Sequence, residues 1–453
     1  MNTWNEKHIK MCPFFIFMLL IQLTTTQSEE TIMNPYAKEV SLFSAKFMNF
    51  AYVPGKNLVS SPVMVELLLG LLALGSKDPS QLIDVMHLGS NKDQLKVAFK
   101  KVSGAMQNIK GVTFYAANKL YVKECDSVVM PAFKKEAVHA FWAEVEKVDF
   151  DMGPVAADII STWVEKITKG LIKDIIDPST IESNTQAVMV NGLYFKGKWE
   201  KEFDPLDTET QTFHVSSSTA KNVQMMSQEE TFKYGNCSAL SAQLLELNYS
   251  KGKASMLIVL PKEVEGLKNV LRLLSDGYDL VSERGKMKPT RVQVRIPKFA
   301  IESDLDLSVL LPKMGVSSIF SSSAGITQIL GNNESLEVSK GVQKAFLEVD
   351  EEGSKAASSS AFKLIMVSEN NDMELFVADH PFLAVLFVNE LPIFWACFTS
   401  PDNTTKRLVL NKAPIRTSLD KSENSQENSK STVVAYLNNL CLLFIWIYFI
   451  KLL

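Results

Sequence analysis

Cysteine and histidine are both scarce in this chain, with five of each among 453 residues. Cys12 and Cys441 lie near the two ends, which leaves Cys125, Cys237 and Cys397 far apart in between. Three scattered cysteines cannot complete a disulfide framework, and no metal-ligand spacing occurs among them. They read as small buried or half-buried residues, so the core must hold by burial, and no metal or cofactor is called for. The histidines, His8, His87, His139, His214 and His380, form no H-E-x-x-H helix, and neither a G-x-S-x-G elbow nor a phosphate-binding G-x-x-x-x-G-K-[ST] loop is present. Asp379-His380 invites a triad reading, but adjacent residues of an extended segment point to opposite faces. A hydrolase needs a nucleophile with a partnered base, and none is visible. Concentrated positive charge is also lacking. Lys and Arg number 47 against 51 Asp and Glu, a net charge of -4, which argues against a nucleic-acid partner.

What is present is the material of a large globular core, 46% hydrophobic and 22% charged. Length alone permits two or three domains, but residues 35–411 show no internal repeat and no long linker. The two ends differ from the middle. Lys7 and Lys10 precede the apolar stretch 11–23, and small polar residues and Glu29-Glu30 follow. That order reads as a secretory signal over residues 1–27, cut between Thr24 and Ser28, with an uncleaved anchor as the alternative. Four glycosylation sequons begin at Asn236, Asn248, Asn333 and Asn403 and agree with secretion. Residues 412–432 read as a disordered polar linker rich in Ser, Asn, Lys and Glu. Residues 433–453 form an apolar tail interrupted by Asn438, Asn439 and Lys451. Its two leading readings are a lipid-anchor signal and a short transmembrane span, so association with a membrane at the cell surface is expected.

Between the ends, helix and strand signals alternate irregularly, which favours α+β over a doubly wound sheet. Val40, Phe43, Phe47 and Phe50 are expected on one face of an opening helix. Ser61 suits an N-cap and Pro62 a first helical turn, so a deeply buried helix should occupy 63–74. Residues 111–122, 186–194 and 291–299 read as strands, and 155–169 as an amphipathic helix. Lys92, Lys96 and Lys100, with Lys101 beside them, recur along another helix, and a solvated lysine face is the favoured reading.

The segment 344–366 carries the functional signal. It opens as a strand, KAFLEVD, and continues through Glu351, Glu352 and Gly353 into Ser354, Lys355, Ala356, Ala357, Ser358, Ser359 and Ser360. By default such a run is a flexible linker. Yet alternate positions from Ser354 collect Ala356, Ser358, Ser360, Phe362, Leu364 and Met366, small and then bulky with no charge. The intervening set holds both Lys355 and Lys363. That is strand patterning. A segment polar enough for solvent but patterned for a sheet points to two alternative states.

These features resemble the hinge and reactive loop of the serpins, and the likeness runs in order over residues 35–410. Residues 57–75 (NLVSSPVMVELLLGLLALG) resemble the family's shutter segment, and 117–122 (ANKLYV) its second central strand. Trp163, Val164, Thr168, Gly170 and Ile172 match the helix across the main sheet. Residues 185–199 (TQAVMVNGLYFKGKW) and 376–386 (FVADHPFLAVL) resemble two of its most recognisable stretches. The resemblance implies one α+β domain over 28–411 with the serpin fold: a large central, mostly antiparallel β-sheet, further sheets, about nine helices and an exposed reactive-centre loop at about 351–375. It also implies a shutter of Ser60, Ser61, Asn191 and Gln343. Four places depart from the pattern. Ser161 stands where Asn is usual and Gln343 where His is common, Ala384 is small, and 388–395 is shortened. Gln343 can bridge to Asn191 as an amide but cannot switch charge near neutral pH.

The implied mechanism is a trap and not an enzyme activity. A protease attacks the loop, and the freed segment from Ser354 inserts as a new strand, carrying the acyl-enzyme with it. Ser354, Ala356, Ser358 and Ser360 place no bulk or charge inward, so the loop is competent for insertion. About a dozen new hydrogen bonds at about 1 kcal/mol net each would favour it. Counting from Glu351 places the scissile bond at Val367-Ser368, with Met366-Val367 the second choice. Both suit an elastase-like or chymotrypsin-like serine protease. Cleavage after Lys363 would suit a trypsin-like enzyme, and a papain-like cysteine protease also remains open. The runner-up is a non-inhibitory carrier, chaperone or storage protein of the same fold. In some serpins the helix matching 92–101 binds sulfated polysaccharide.

Overall fold

The computed structural model describes residues 34–321, 324–332, 334–351 and 373–401. Among them are nine α-helices and fourteen strands. The opening helix α1 (Ala37–Ala51) buries Ala37, Val40, Ser44, Phe47 and Met48, an i, i+3, i+4 series. Phe43 is buried as expected, but Phe50 falls on the rim of this stripe and is 40% exposed. After the short strand β1 (Leu58–Ser60), helix α2 (Pro62–Gly75) begins at the expected place, with Ser61 at the N-cap and Pro62 in the first turn. Apart from Leu74, all of α2 is buried, Glu66 included. Its Gly70 permits close packing of its neighbours, because a Cβ there would lie 2.3 Å from the Phe99 ring. Helices α3 (Ser80–Met86), α4 (Lys92–Ala105) and α5 (Pro131–Phe141) complete this helical layer.

Five strands make one sheet: β2 (Val112–Lys123), β3 (Glu144–Val148), β4 (Ala187–Gly197), β10 (Phe299–Asp306) and β11 (Lys340–Val349), in the order β10-β11-β4-β2-β3. β10 with β11 and β2 with β4 are antiparallel, whereas β11 with β4 and β2 with β3 are parallel. One face joins the main core through Leu120, Met189, Leu193, Ala345 and Leu347. The other is covered by α6 (Gly153–Ile167), whose Ile160 and Val164 pack with Ala117, Val188, Val190, Val342 and Phe346. Gly192 lets α6 sit this close, since a Cβ there would be 2.6 Å from Val164.

The second sheet has nine strands. These are β1, β5 (Glu209–Ser216), β6 (Thr219–Cys237), β7 (Ala242–Asn248), β8 (Ala254–Pro261), β9 (Lys288–Pro297), β12 (Glu374–Val377), β13 (Phe382–Val388) and β14 (Leu391–Phe398). It is antiparallel except where β12 meets β9. The segment expected as one strand over 291–299 divides at Lys298. β9 belongs to the nine-stranded sheet and β10 to the five-stranded one. Helices α7 (Leu267–Ser275), α8 (Leu280–Gly285) and α9 (Leu307–Lys313) pack outside these sheets. Cys237 and Cys397 are buried free thiols and Cys125 is half-buried. No helix of the described residues is long and apolar enough to cross a membrane.

Candidate functional site

The turn from β1 into α2 carries two adjacent hydroxyls under the five-stranded sheet. Ser61 occupies the N-cap position, yet its Oγ donates to the Ile393 carbonyl at 2.5 Å instead of capping the helix. Ser60 Oγ donates to Gln343 Oε1. Gln343 Nε2 in turn donates to Asn191 Oδ1 at 2.7 Å and to the Ser61 carbonyl at 3.1 Å. The row does not stop there, because Asn191 Nδ2 donates to Asn118 Oδ1 at 3.1 Å. Strand register explains it: Gln343 faces Asn191, and Asn191 faces Asn118. The structure thus brings together Ser60, Ser61, Asn191 and Gln343, all buried. Asn118 belongs with them. Its signal in the sequence is a polar residue in phase with Leu120 and Val122, on the face that packs on the core.

This buried row contains only neutral amides and hydroxyls. Each bond is worth about 1 kcal/mol net, while an orphaned member costs about 1–3 kcal/mol. The row therefore holds β11 to β4 without the heavy desolvation penalty of a charge.

At the end of β11 the chain reaches Glu351. Its carboxylate accepts from Lys298 Nζ at 2.6 Å and from Thr208 Oγ1 at 3.0 Å. Burial pushes this carboxyl upward, but the Lys298 ammonium and its other donors outweigh that and hold it below the usual range. The indole of Trp199 donates to the Asp350 carbonyl at 2.9 Å. The segment expected to open the hinge is thus anchored, at Asp350 and Glu351, at the mouth of the seam between β4 and β11. Glu352, Gly353, Ser354, Lys355, Ala356, Ala357, Ser358, Ser359 and Ser360 lie outside the described residues, as do Met366, Val367 and Ser368. So do Asn333 and Asn403, while Asn236 and Asn248 are exposed at strand positions.

Two expectations need correction. Asp379 and His380 do not point apart: His380 Nδ1 lies 2.8 Å from Asp379 Oδ1, while Nε2 donates to the Pro261 carbonyl at 2.7 Å. They fall between β12 and β13, where the chain bends and strand alternation no longer applies. Both ring nitrogens are engaged in this structural link. Nor is the lysine face of α4 wholly solvated: Lys100 and Lys101 are exposed, but Lys92 is drawn inward. Lys92 Nζ donates to the carbonyls of Leu74, at 3.1 Å, and Ser76, satisfying orphan groups at the end of α2. Lys96 lies 3.9 Å from Asp93, and Lys101 stands 5.8 Å above the Tyr36 ring.

Comparison with known proteins agrees with this architecture. The family model described as serpin (serine protease inhibitor) matches residues 40–401. Antichymotrypsin-2 of Bombyx mori is 36% identical over 347 residues, covering 76% of this chain and 92% of that protein. Antitrypsin of the same organism is 35% identical over 348 residues, covering 76% and 88%. The crystal structure of Serpin48 from the insect Tenebrio molitor superposes with a TM-score of 0.71 at 30% identity, covering 83% of this chain and 99% of that one. Several relatives are thus named as protease inhibitors and not as enzymes, and the chain belongs to the serpin family.

Proposed function

We propose that this chain is a secreted inhibitory serpin that traps a serine protease as an acyl-enzyme. The observation that carries the reading is the seam itself. β4 and β11 are parallel neighbours, so a strand turning back after Glu351 would run antiparallel to both. Insertion breaks one ladder and makes two, a net gain of about one ladder of hydrogen bonds at about 1 kcal/mol each. The uncharged set from Ser354 to Met366 would face the core, and Lys355 and Lys363 the other side.

In the trapping step the protease serine oxygen attacks the Val367 carbonyl carbon. The peptide bond to Ser368 breaks, the Ser368 nitrogen leaves as an amine, and an ester joins Val367 to the protease. Insertion must then outrun hydrolysis of that ester. Val367, or Met366 as second choice, suits an elastase-like or chymotrypsin-like primary pocket. A glycan at Asn236 would stand on the β6–β7 pair of the other sheet, and one at Asn248, whose amide nitrogen donates to Glu200, would stand near the β4 end of the seam. Attachment to a membrane through residues 433–453 belongs to the same reading.

The test mixes the secreted protein with elastase, chymotrypsin, trypsin and a papain-like cathepsin in turn. Denaturing gels then show any covalent complex, and mass spectrometry weighs the released C-terminal peptide. An SDS-stable complex with elastase or chymotrypsin, with a peptide beginning at Ser368, is the expected result. Loop cleavage by every protease without a complex would leave the carrier, chaperone or storage reading in its place.

A further inference from the structure

Above the buried amide row, β4 and β11 are fastened a second time, on the sheet face that α6 covers. Tyr115, Tyr194 and Phe346 stand in register on β2, β4 and β11. Their rings stack in sequence, Tyr115 on Tyr194 at 6.0 Å and 25°, and Tyr194 on Phe346 at 5.5 Å and 14°. Two residues further along β4, Lys196 Nζ donates to Glu348 Oε1 at 2.8 Å and to Asp350 Oδ2 at 2.7 Å. The Tyr194 hydroxyl adds a bond to Glu348 Oε2 at 3.3 Å. This is not a loose surface pair: the side chains of Lys196, Glu348 and Asp350 are 28%, 16% and 9% exposed. Burial works against the Lys196 ammonium, yet the two carboxylates hold its pKa above the ordinary lysine value.

Apart from the Tyr115–Tyr194 stack, each of these contacts crosses from β4 to β11 or to Asp350 just past its end. A strand entering between them would move the two apart by about 4.8 Å. The Tyr194 and Phe346 rings would then stand roughly twice as far apart, and Lys196 would lose both carboxylates. Position matters as well. The loop is attached at the Glu351 end of β11, so entry must begin there, and Phe346 to Asp350 are the first residues it would part. The Gln343–Asn191 bond lies deeper along the seam.

We infer that Tyr194, Lys196, Phe346 and Glu348 form a clasp that sets how fast the seam opens. Because insertion competes with hydrolysis of the acyl-enzyme, the clasp also sets how many inhibitor molecules are consumed per trapped protease. That second consequence rests on the trapping reading above; the first does not.

The experiment therefore reads the seam directly. Amide hydrogen exchange of the intact chain, without protease, would compare wild type with Phe346→Leu, Glu348→Gln and Lys196→Arg. Peptides spanning residues 188–196 and 341–348 should exchange about threefold to tenfold faster in the first two variants. Peptides from β13 and β14 should be unchanged, and Lys196→Arg should stay close to wild type. Seam exchange that does not change, or that rises only in step with β13 and β14, would overturn the clasp. A second arm measures the stoichiometry of inhibition, which should fall in Phe346→Leu if opening limits trapping. Absence of any wild-type complex would sink the trapping reading alone, while the exchange data would still decide the clasp.

Discussion

The seam between β4 and β11 and the run β8–β13–β14 are both buried sheet, yet they are fastened by opposite means. Every residue of β8, β13 and β14 is buried, and the run is apolar almost throughout, interrupted by Ser255. The seam instead carries Asn191, Gln343, Lys196 and Glu348, each bonded across it. Burial of apolar surface is large, non-directional and lost all at once if strands part. A hydrogen bond is nearly balanced by one to water or to a new strand. On the trapping reading proposed above, the polar seam is where pairing would change without unfolding, and the apolar run is the frame that would stay.

The largest effect that would test this contrast is a cavity in the frame. Leu386→Ala, at a position 1% exposed in β13, should lower unfolding stability by about 2–5 kcal/mol, read from the denaturant midpoint. Gln343→Ala should cost less, about 1–3 kcal/mol, by orphaning Ser60 and Asn191. It should also speed exchange along the seam. Equal or greater loss at Gln343 would undo the distinction between frame and seam.

A third test sharpens the comparison in α2, which follows directly on Ser60 and Ser61. Glu66 is fully buried in this helix, and burial, with the Glu39 charge as a lesser cause, pushes its carboxyl well above the usual range. A folded pKa above the unfolded one gives stability that is complete below the unfolded value of about 4.3 and lost as pH rises through the folded value. Glu66→Gln should flatten this alkaline decline in thermal unfolding scans run across the range. Parallel profiles for wild type and variant would show that Glu66 is not the group responsible. The smallest effect belongs to the solvent-facing pair Arg291–Glu229 on β9 and β6, with Arg291 60% exposed. Arg291→Ala should change stability by less than about 1 kcal/mol. A larger loss would mean that polar contacts count alike wherever they lie.

Local signals in the sequence were legible where neighbours along the chain decide the outcome. Ser61-Pro62 marks the start of α2, and local strand signals find β2, β4 and β9 to within a few residues. Even there, tertiary context redirected side chains. The Ser61 hydroxyl leaves its own helix for Ile393, Lys92 closes the end of another helix, and a bend joins Asp379 to His380. Phe50 matched a helical spacing but missed the buried stripe, because spacing alone does not locate the centre of a stripe. Of the polar row, the resemblance supplied Ser60, Ser61, Asn191 and Gln343, while Asn118 needed the register of β2 on β4.

By itself the sequence determined the α+β class, the buried α2, the alternation of the segment after Glu351 and the kinship that these motifs carry. Each depends on residues close together in the chain, where helical and strand periods act directly. Only the tertiary structure decided that Tyr115, Tyr194 and Phe346 would stack, that Lys196 would meet Glu348 and Asp350, and that Lys298 would hold Glu351. Those partners lie 53 to 154 positions apart, and what joins them is the register of strands. Register is set by the packing of whole faces and not by any single segment.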